Sequence, residues 1–132
     1  MFIGAIETDV APLRGLPNVT FLGPRAHNDL PGYAQHWQAS LLPFRDCPQI
    51  RACNPLKLRE YLAAGREIVT TDFPALSPYR DLVTVANGRD AFADAIRASA
   101  AAPDRTNERR ARVSLETWEA RAAEVAGALA AL

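Results

Sequence analysis

Residues 54–60, Asn-Pro-Leu-Lys-Leu-Arg-Glu, bring a helix start, an ammonium group and a carboxylate within two turns of one another. Asn54 is a strong N-cap, Pro55 suits the first helical position, and Gly65 closes the helix after Ala63 and Ala64. The first amides of such a helix have no intrahelical acceptor, so they favour an anion, phosphate above all. Lys57, the sole lysine among 15 basic residues, adds a point charge near the third helical position. Glu60 shares its face one turn on and has the acceptor chemistry for a ribose diol. Diphosphate plus ribose describes a nucleotide. Spacing alone favours a blander pattern: a simple cap and a solvated Lys57–Glu60 pair worth about 0.2–0.5 kcal/mol. Both readings stay open at this point.

Other reactive side chains carry weaker patterns. Ser40, Ser77 and Ser114 lie outside any Gly-x-Ser-x-Gly elbow, which gives serine hydrolase chemistry no support. Cys47 and Cys53 form no CxxC and have only His27 and His36 as companions, so neither a zinc site nor a disulfide framework is indicated. Zero formal charge argues against a basic nucleic-acid-binding domain, and 48% hydrophobic residues argue against disorder. The opening apolar run is too short for a signal peptide and no stretch approaches membrane-spanning length, so the expected location is cytoplasmic.

The elements that must position these groups alternate. Short apolar runs at 2–6, 18–23, 39–44, 67–71 and 81–86 read as strands. A helix capped by Asn28 or Asp29 runs to Gln38, residues 54–65 form the central helix, and another carries Phe92 and Ile96. Residues 45–53 read as a loop, as does the stretch containing Pro74 and Pro78. Leu115, Trp118, Ala122, Val125, Leu129 and Leu132 repeat at three and four, giving a C-terminal helix a narrow apolar stripe that needs a surface to dock on. Strands that read as apolar runs between helices imply an α/β fold with a mostly parallel, Rossmann-like sheet.

Four motifs stand in order, Pro-Asn-Val-Thr-Phe-Leu-Gly-Pro-Arg at 17–25, Leu-Pro-Gly-Tyr at 30–33, Leu-Leu-Pro-Phe at 41–44 and Asn-Pro-Leu-Lys-x-x-Glu-Tyr-Leu-Ala-Ala-Gly at 54–65, within a resemblance that extends over nearly all of the chain. Together they resemble the C-terminal, nucleotide-sugar-binding domain of a GT-B glycosyltransferase of the family 1/family 4 type. The resemblance implies that Glu60 binds the donor ribose and that Asn54, Pro55 and Leu56, with Lys57, face the diphosphate. It implies that Gly23, Pro24 and Arg25 line the base, with Leu30 closing the same wall. It also implies a UDP- or GDP-type donor, a glycan or lipid-linked acceptor, retention of anomeric configuration and no metal or other cofactor.

Two positions depart from the family pattern. Ala52 stands where many members carry a sugar-contacting glutamate, and Glu67 stands where a proline usually follows the helix-ending glycine. The resemblance further implies one partial domain over 1–132, lacking the first strand and helix of the C-terminal domain and the whole N-terminal domain. The expected partners are therefore the nucleotide sugar and that N-terminal domain or a partner chain, with membrane contact through the acceptor and self-association through the exposed sheet or the C-terminal helix. Catalysis needs donor, acceptor and reacting groups together, so the chain alone is expected to be inactive. The alternative from another class is a non-catalytic nucleotide-binding or protein-interaction module on the same fold.

Overall fold

Ile68 and Val69 point to opposite sides of their strand, yet both are fully shielded from solvent, the mark of a central parallel strand covered on both faces. In the computed structural model, which describes residues 1–131, that strand sits in the larger of two units, Met1–Tyr33 and Ala34–Leu132.

The larger unit is α/β. Strands β1 (Ala39–Leu42), β2 (Glu67–Thr70) and β3 (Thr84–Val85) form a parallel sheet in the order β1-β2-β3, with Leu41 opposite Val69 and Thr70 opposite Val85. Parallel neighbours need crossovers. Between β1 and β2 the crossover contains a short helix, Pro48–Arg51, and then the helix of residues Leu56–Ala64. Between β2 and β3 it is a 3₁₀ segment, Pro74–Leu82. Further helices span Arg89–Ser99, Thr106–Val113 and Trp118–Ala130. With two short helices in the earlier part of the chain, Ala11–Arg14 and Leu30–Ala34, the helices number α1 to α7 in order, so Leu56–Ala64 is α4 and Trp118–Ala130 is α7. Helix α5 packs on β2 and α6 lies along α4, which leaves the sheet flanked by helices.

The core follows from local periodicity. Leu58 and Leu62, four apart on α4, are fully buried, each contributing about 1.5–3 kcal/mol. Leu76, Tyr79 and Leu82 recur every third residue, the 3₁₀ period, and all three turn inward to meet Leu42, Ile68 and Phe73. That series explains one correction. The run 81–86 was expected to be a strand throughout, but Leu82 completes the buried 3₁₀ face, and extended pairing begins only at Thr84.

Other boundaries also move. The expected loop 45–53 contains α3, started by Pro48 at its first turn. The strand at 39–44 stops at Leu42, before Pro43. The helix expected from Asn28 to Gln38 is a 3₁₀ turn, His27–Asp29, followed by α2, with Pro31 and Gly32 inside its span. Helix α6 was not foreseen at all. The C-terminal stripe does not dock as expected: Leu115 precedes α7, and Leu115, Trp118, Val125 and Leu129 are 60–83% exposed. The stripe's last member, Leu132, lies outside the described residues.

In the unit Met1–Tyr33 the two expected strands reduce to one parallel bridge between Phe2 and Phe21. The Phe2 amide donates to Thr20 O at 2.7 Å, the Leu22 amide to Phe2 O at 2.9 Å, and the two rings stack at 5.1 Å. Gly4 takes φ +133°, which breaks extended geometry, and Phe2 and Ile6 stay 50% and 41% exposed. The run 2–6 is therefore not a buried strand.

Candidate functional site

Helix α4 begins just after the segment that leaves the carboxyl end of β1. Asn54 does not cap it. Pro55 occupies the N-cap position, no side chain caps the helix, and Asn54 Oδ1 instead accepts from Arg59 Nη1 at 2.8 Å. The amides of the first turn consequently keep no side-chain acceptor. At the other end the expectation holds: Gly65 takes φ +84°, and its amide donates back to Tyr61 O and Leu62 O at 3.1 and 3.0 Å.

Lys57 and Glu60 lie on one exposed face of α4. Lys57 Nζ donates to Glu60 Oε2 at 2.7 Å, with both side chains more than 40% exposed. The ammonium leans along the helix toward Glu60. Leu56, at the first helical position, is 58% exposed. Asn54, Pro55, Leu56, Lys57 and Glu60 thus share the opening turns of a single element. Gly23, Pro24, Arg25 and Leu30 belong to the other unit. There Arg25 donates to Pro24 O at 2.9 Å and to the Tyr33 hydroxyl at 3.3 Å, while Gly23 O accepts from the Gly4 amide at 3.0 Å.

Sequence reasoning missed the residue that holds the start of α4 in place. Arg59 reaches Asn54 on one side and Glu116 Oε2 at 2.7 Å on the other, with its guanidinium over the Tyr79 ring. The Tyr79 hydroxyl donates to the same Glu116 carboxylate at 2.6–2.7 Å. Burial tends to raise the Glu116 pKa, but hydrogen bonds from Tyr79 and Arg59 outweigh it and hold the carboxyl below the usual range. Burial and the same bond push the Tyr79 phenol up. No helical or strand periodicity connects residues 59, 79 and 116, so no pattern in the sequence announces this cluster.

A second feature lies outside the carboxyl ends of β1 and β2. The segments that follow those strands are pinned together: the Thr71 amide donates to Leu42 O at 3.2 Å, its hydroxyl to Phe44 O at 2.8 Å, and Phe44 meets Phe73 edge-on at 5.4 Å. A cleft of about 530 Å³ is lined by two ion pairs from these segments, Asp46–Arg51 and Asp72–Arg80. Arg51 donates through Nε and Nη2 to both Asp46 oxygens at 2.6 and 2.7 Å, and this bond keeps Asp46 below the usual carboxylate range. Ile50, Phe73, Pro74 and Ser77 also line it. Cys47 and Cys53 are free, half-buried thiols, and among the described residues no group of three His, Cys, Asp or Glu is placed to hold a metal ion. No helix of the described residues is long and apolar enough to cross a membrane.

The fold and these two features define an α/β domain with its polar groups gathered after the sheet strands. Comparison with known proteins adds one relationship. Over 62 residues, 47% of this chain, the sequence is 39% identical to the "Putative teichuronic acid biosynthesis glycosyltransferase TuaH" of Bacillus subtilis (strain 168). The aligned stretch spans 16% of that relative's own length. About half of the chain is thus similar to part of a glycosyltransferase. No family model matches the chain, and no solved structure matches it.

Proposed function

We propose that this chain is the donor-binding part of a glycosyltransferase that takes a UDP- or GDP-type nucleotide sugar and passes the sugar to a glycan or lipid-linked acceptor. The observation that carries the reading is the start of α4, where uncapped amides, Lys57 and the exposed Glu60 carboxylate stand on one face. The diphosphate lies against the turn of Asn54, Pro55, Leu56 and Lys57, and Glu60 accepts hydrogen bonds from the ribose hydroxyls. Lys57 then leaves Glu60 for phosphate. Transfer proceeds without a metal and with retention, and the acceptor and remaining catalytic groups come from a further domain or a partner chain. The reaction belongs on the cytoplasmic side, reaching the membrane only through the acceptor. The partial similarity to a glycosyltransferase supports the class of reaction.

Calorimetric titration of UDP and GDP tests this reading. Saturable binding of one of them is expected, with Glu60→Ala weakening it about tenfold or more, the scale of a hydrogen bond to a charged group. No saturable heat with either nucleotide overturns the proposal. One observation favours a second reading, a non-catalytic interaction module: Trp118, Val125 and Leu129 on α7 stand 60–77% exposed.

A further inference from the structure

We propose that Arg59 is a positioning residue: by holding the Asn54 side chain out of the N-cap position, it keeps the first amides of α4 open for the diphosphate. The proposal rests on the α4 reading above and adds to it what controls that site.

A cap that the sequence offers and the fold declines is the first argument. Asn followed by Pro is a strong helix start, and an Asn54 cap would set Oδ1 on the amide of Leu56 or Lys57. Those are the amides an anion needs. In the structure Pro55 takes the N-cap position, no side chain caps α4, and Asn54 Oδ1 accepts from Arg59 Nη1 at 2.8 Å. Forgoing a cap weakens the helix, and departures from local preference of this kind concentrate at functional sites.

The second is that Arg59 is itself held. Its Nε donates to Glu116 Oε2 at 2.7 Å, its guanidinium lies 5.6 Å from the centre of the Tyr79 ring, and the Tyr79 hydroxyl donates to the same carboxylate. The Arg59 and Glu116 side chains are only 20% and 18% exposed. The guanidinium therefore meets Asn54 from a preset, partly buried position, and little ordering is spent in drawing the amide away.

Direction is the third. At 3.6 residues per turn Arg59 stands roughly 160° around α4 from Lys57, so Asn54 is drawn to the side away from the Lys57–Glu60 face. A capping Asn and a phosphate compete for the same donors. With Arg59 gone, Asn54 turns back onto the helix start, and an arriving phosphate has to displace it.

Two variants test this in the full chain, each made alone and with Asn54→Ala. Arg59→Met keeps the apolar stem and loses both bonds, whereas Arg59→Lys keeps a charge for Glu116 but offers one nitrogen where the fork uses two. A cooperative thermal transition verifies that each is folded. Solvent exchange of the Leu56 and Lys57 amides is read by NMR, and binding of UDP, GDP and inorganic pyrophosphate by calorimetry. Each Arg59 variant is expected to slow exchange of one of the two amides about fivefold and to weaken binding by a similar factor, the scale of one N-cap, with Asn54→Ala reversing both effects. A merely structural role for Arg59 would not be rescued by trimming a second side chain. Unchanged exchange in both folded variants overturns the proposal. So does a loss of binding that Asn54→Ala leaves in place, which would make Arg59 a phosphate contact or a support of the fold. Wild type that binds none of the three ligands overturns the α4 reading and this proposal together, whereas binding that is indifferent to Arg59 overturns this proposal alone.

Discussion

Arg109 and Glu67 form an ion pair closed to solvent on both sides, 3% and 9% exposed, that joins α6 to the first residue of β2. The pair is also saturated with other bonds. Arg109 donates through Nε to Leu82 O at 2.9 Å and through Nη1 to Gly65 O at 3.2 Å, and Thr84 Oγ1 donates to the second Glu67 oxygen at 2.8 Å. Removing one partner strands the other. Arg109→Met is expected to cost about 3–5 kcal/mol in denaturant unfolding. Adding Glu67→Leu to it should recover much of the loss. A single variant as stable as the wild type would mean that the pair contributes nothing.

Gly65 carries a different constraint. Its φ of +84° is a conformation that costs an L-residue about 1–2 kcal/mol. A Cβ there would also stand 2.6 Å from Thr106 Cγ2 on α6, closer than real contacts allow. Gly65→Ala is expected to destabilise by both amounts, read as a lowered unfolding midpoint. Thr106→Ser in the same chain removes the clashing methyl while keeping the hydroxyl that bonds Gly65 O at 3.1 Å. Partial recovery separates the two costs, and full recovery would show that the backbone conformation carries none.

The Arg59–Glu116–Tyr79 cluster predicts how stability responds to pH. Glu116 is depressed from its ordinary value of 4.5, so its contribution is present above that value and is lost as pH falls through the lower folded value. Tyr79 is raised from 10.0, so its contribution is present below 10.0 and is lost as pH rises beyond it. Unfolding free energy measured against pH should fall at both ends. Glu116→Gln should flatten the acid limb relative to wild type, and an unchanged limb would remove this cluster from the acid response.

Much of the architecture was legible because its signals are local. The Ile68-Val69 run, the leucines four apart on α4 and Gly65 each announce their element without help from distant residues. What was illegible is non-local or uses the wrong residue types for its role. Helix α6 reads Thr-Asn-Glu-Arg-Arg-Ala-Arg-Val, and its buried member is Arg109, so hydrophobic periodicity passes over it. Its one local signal is Asp104, which accepts from the Thr106 amide at 2.9 Å. The 3₁₀ segment was hidden by Pro74 and Pro78, which suggest a loop, while the spacing of Leu76, Tyr79 and Leu82 belongs to neither a helix of 3.6 residues nor a strand. At the candidate site, Lys57 and Glu60 are positioned by local helical spacing, whereas Asn54 left its expected capping role because Arg59, itself tied to distant Glu116, draws its side chain away.

That tie has a consequence for how the chain acquires its structure during synthesis. Residues 54–60 are synthesised before Glu116 and the arginine-rich α6, yet Arg59 and Gly65 are fixed by those later segments. Vectorial synthesis delivers the sheet and α4 first and their anchors last. The start of α4 is therefore completed late, and a nascent chain arrested before Glu116 would display residues 54–60 on an unanchored helix.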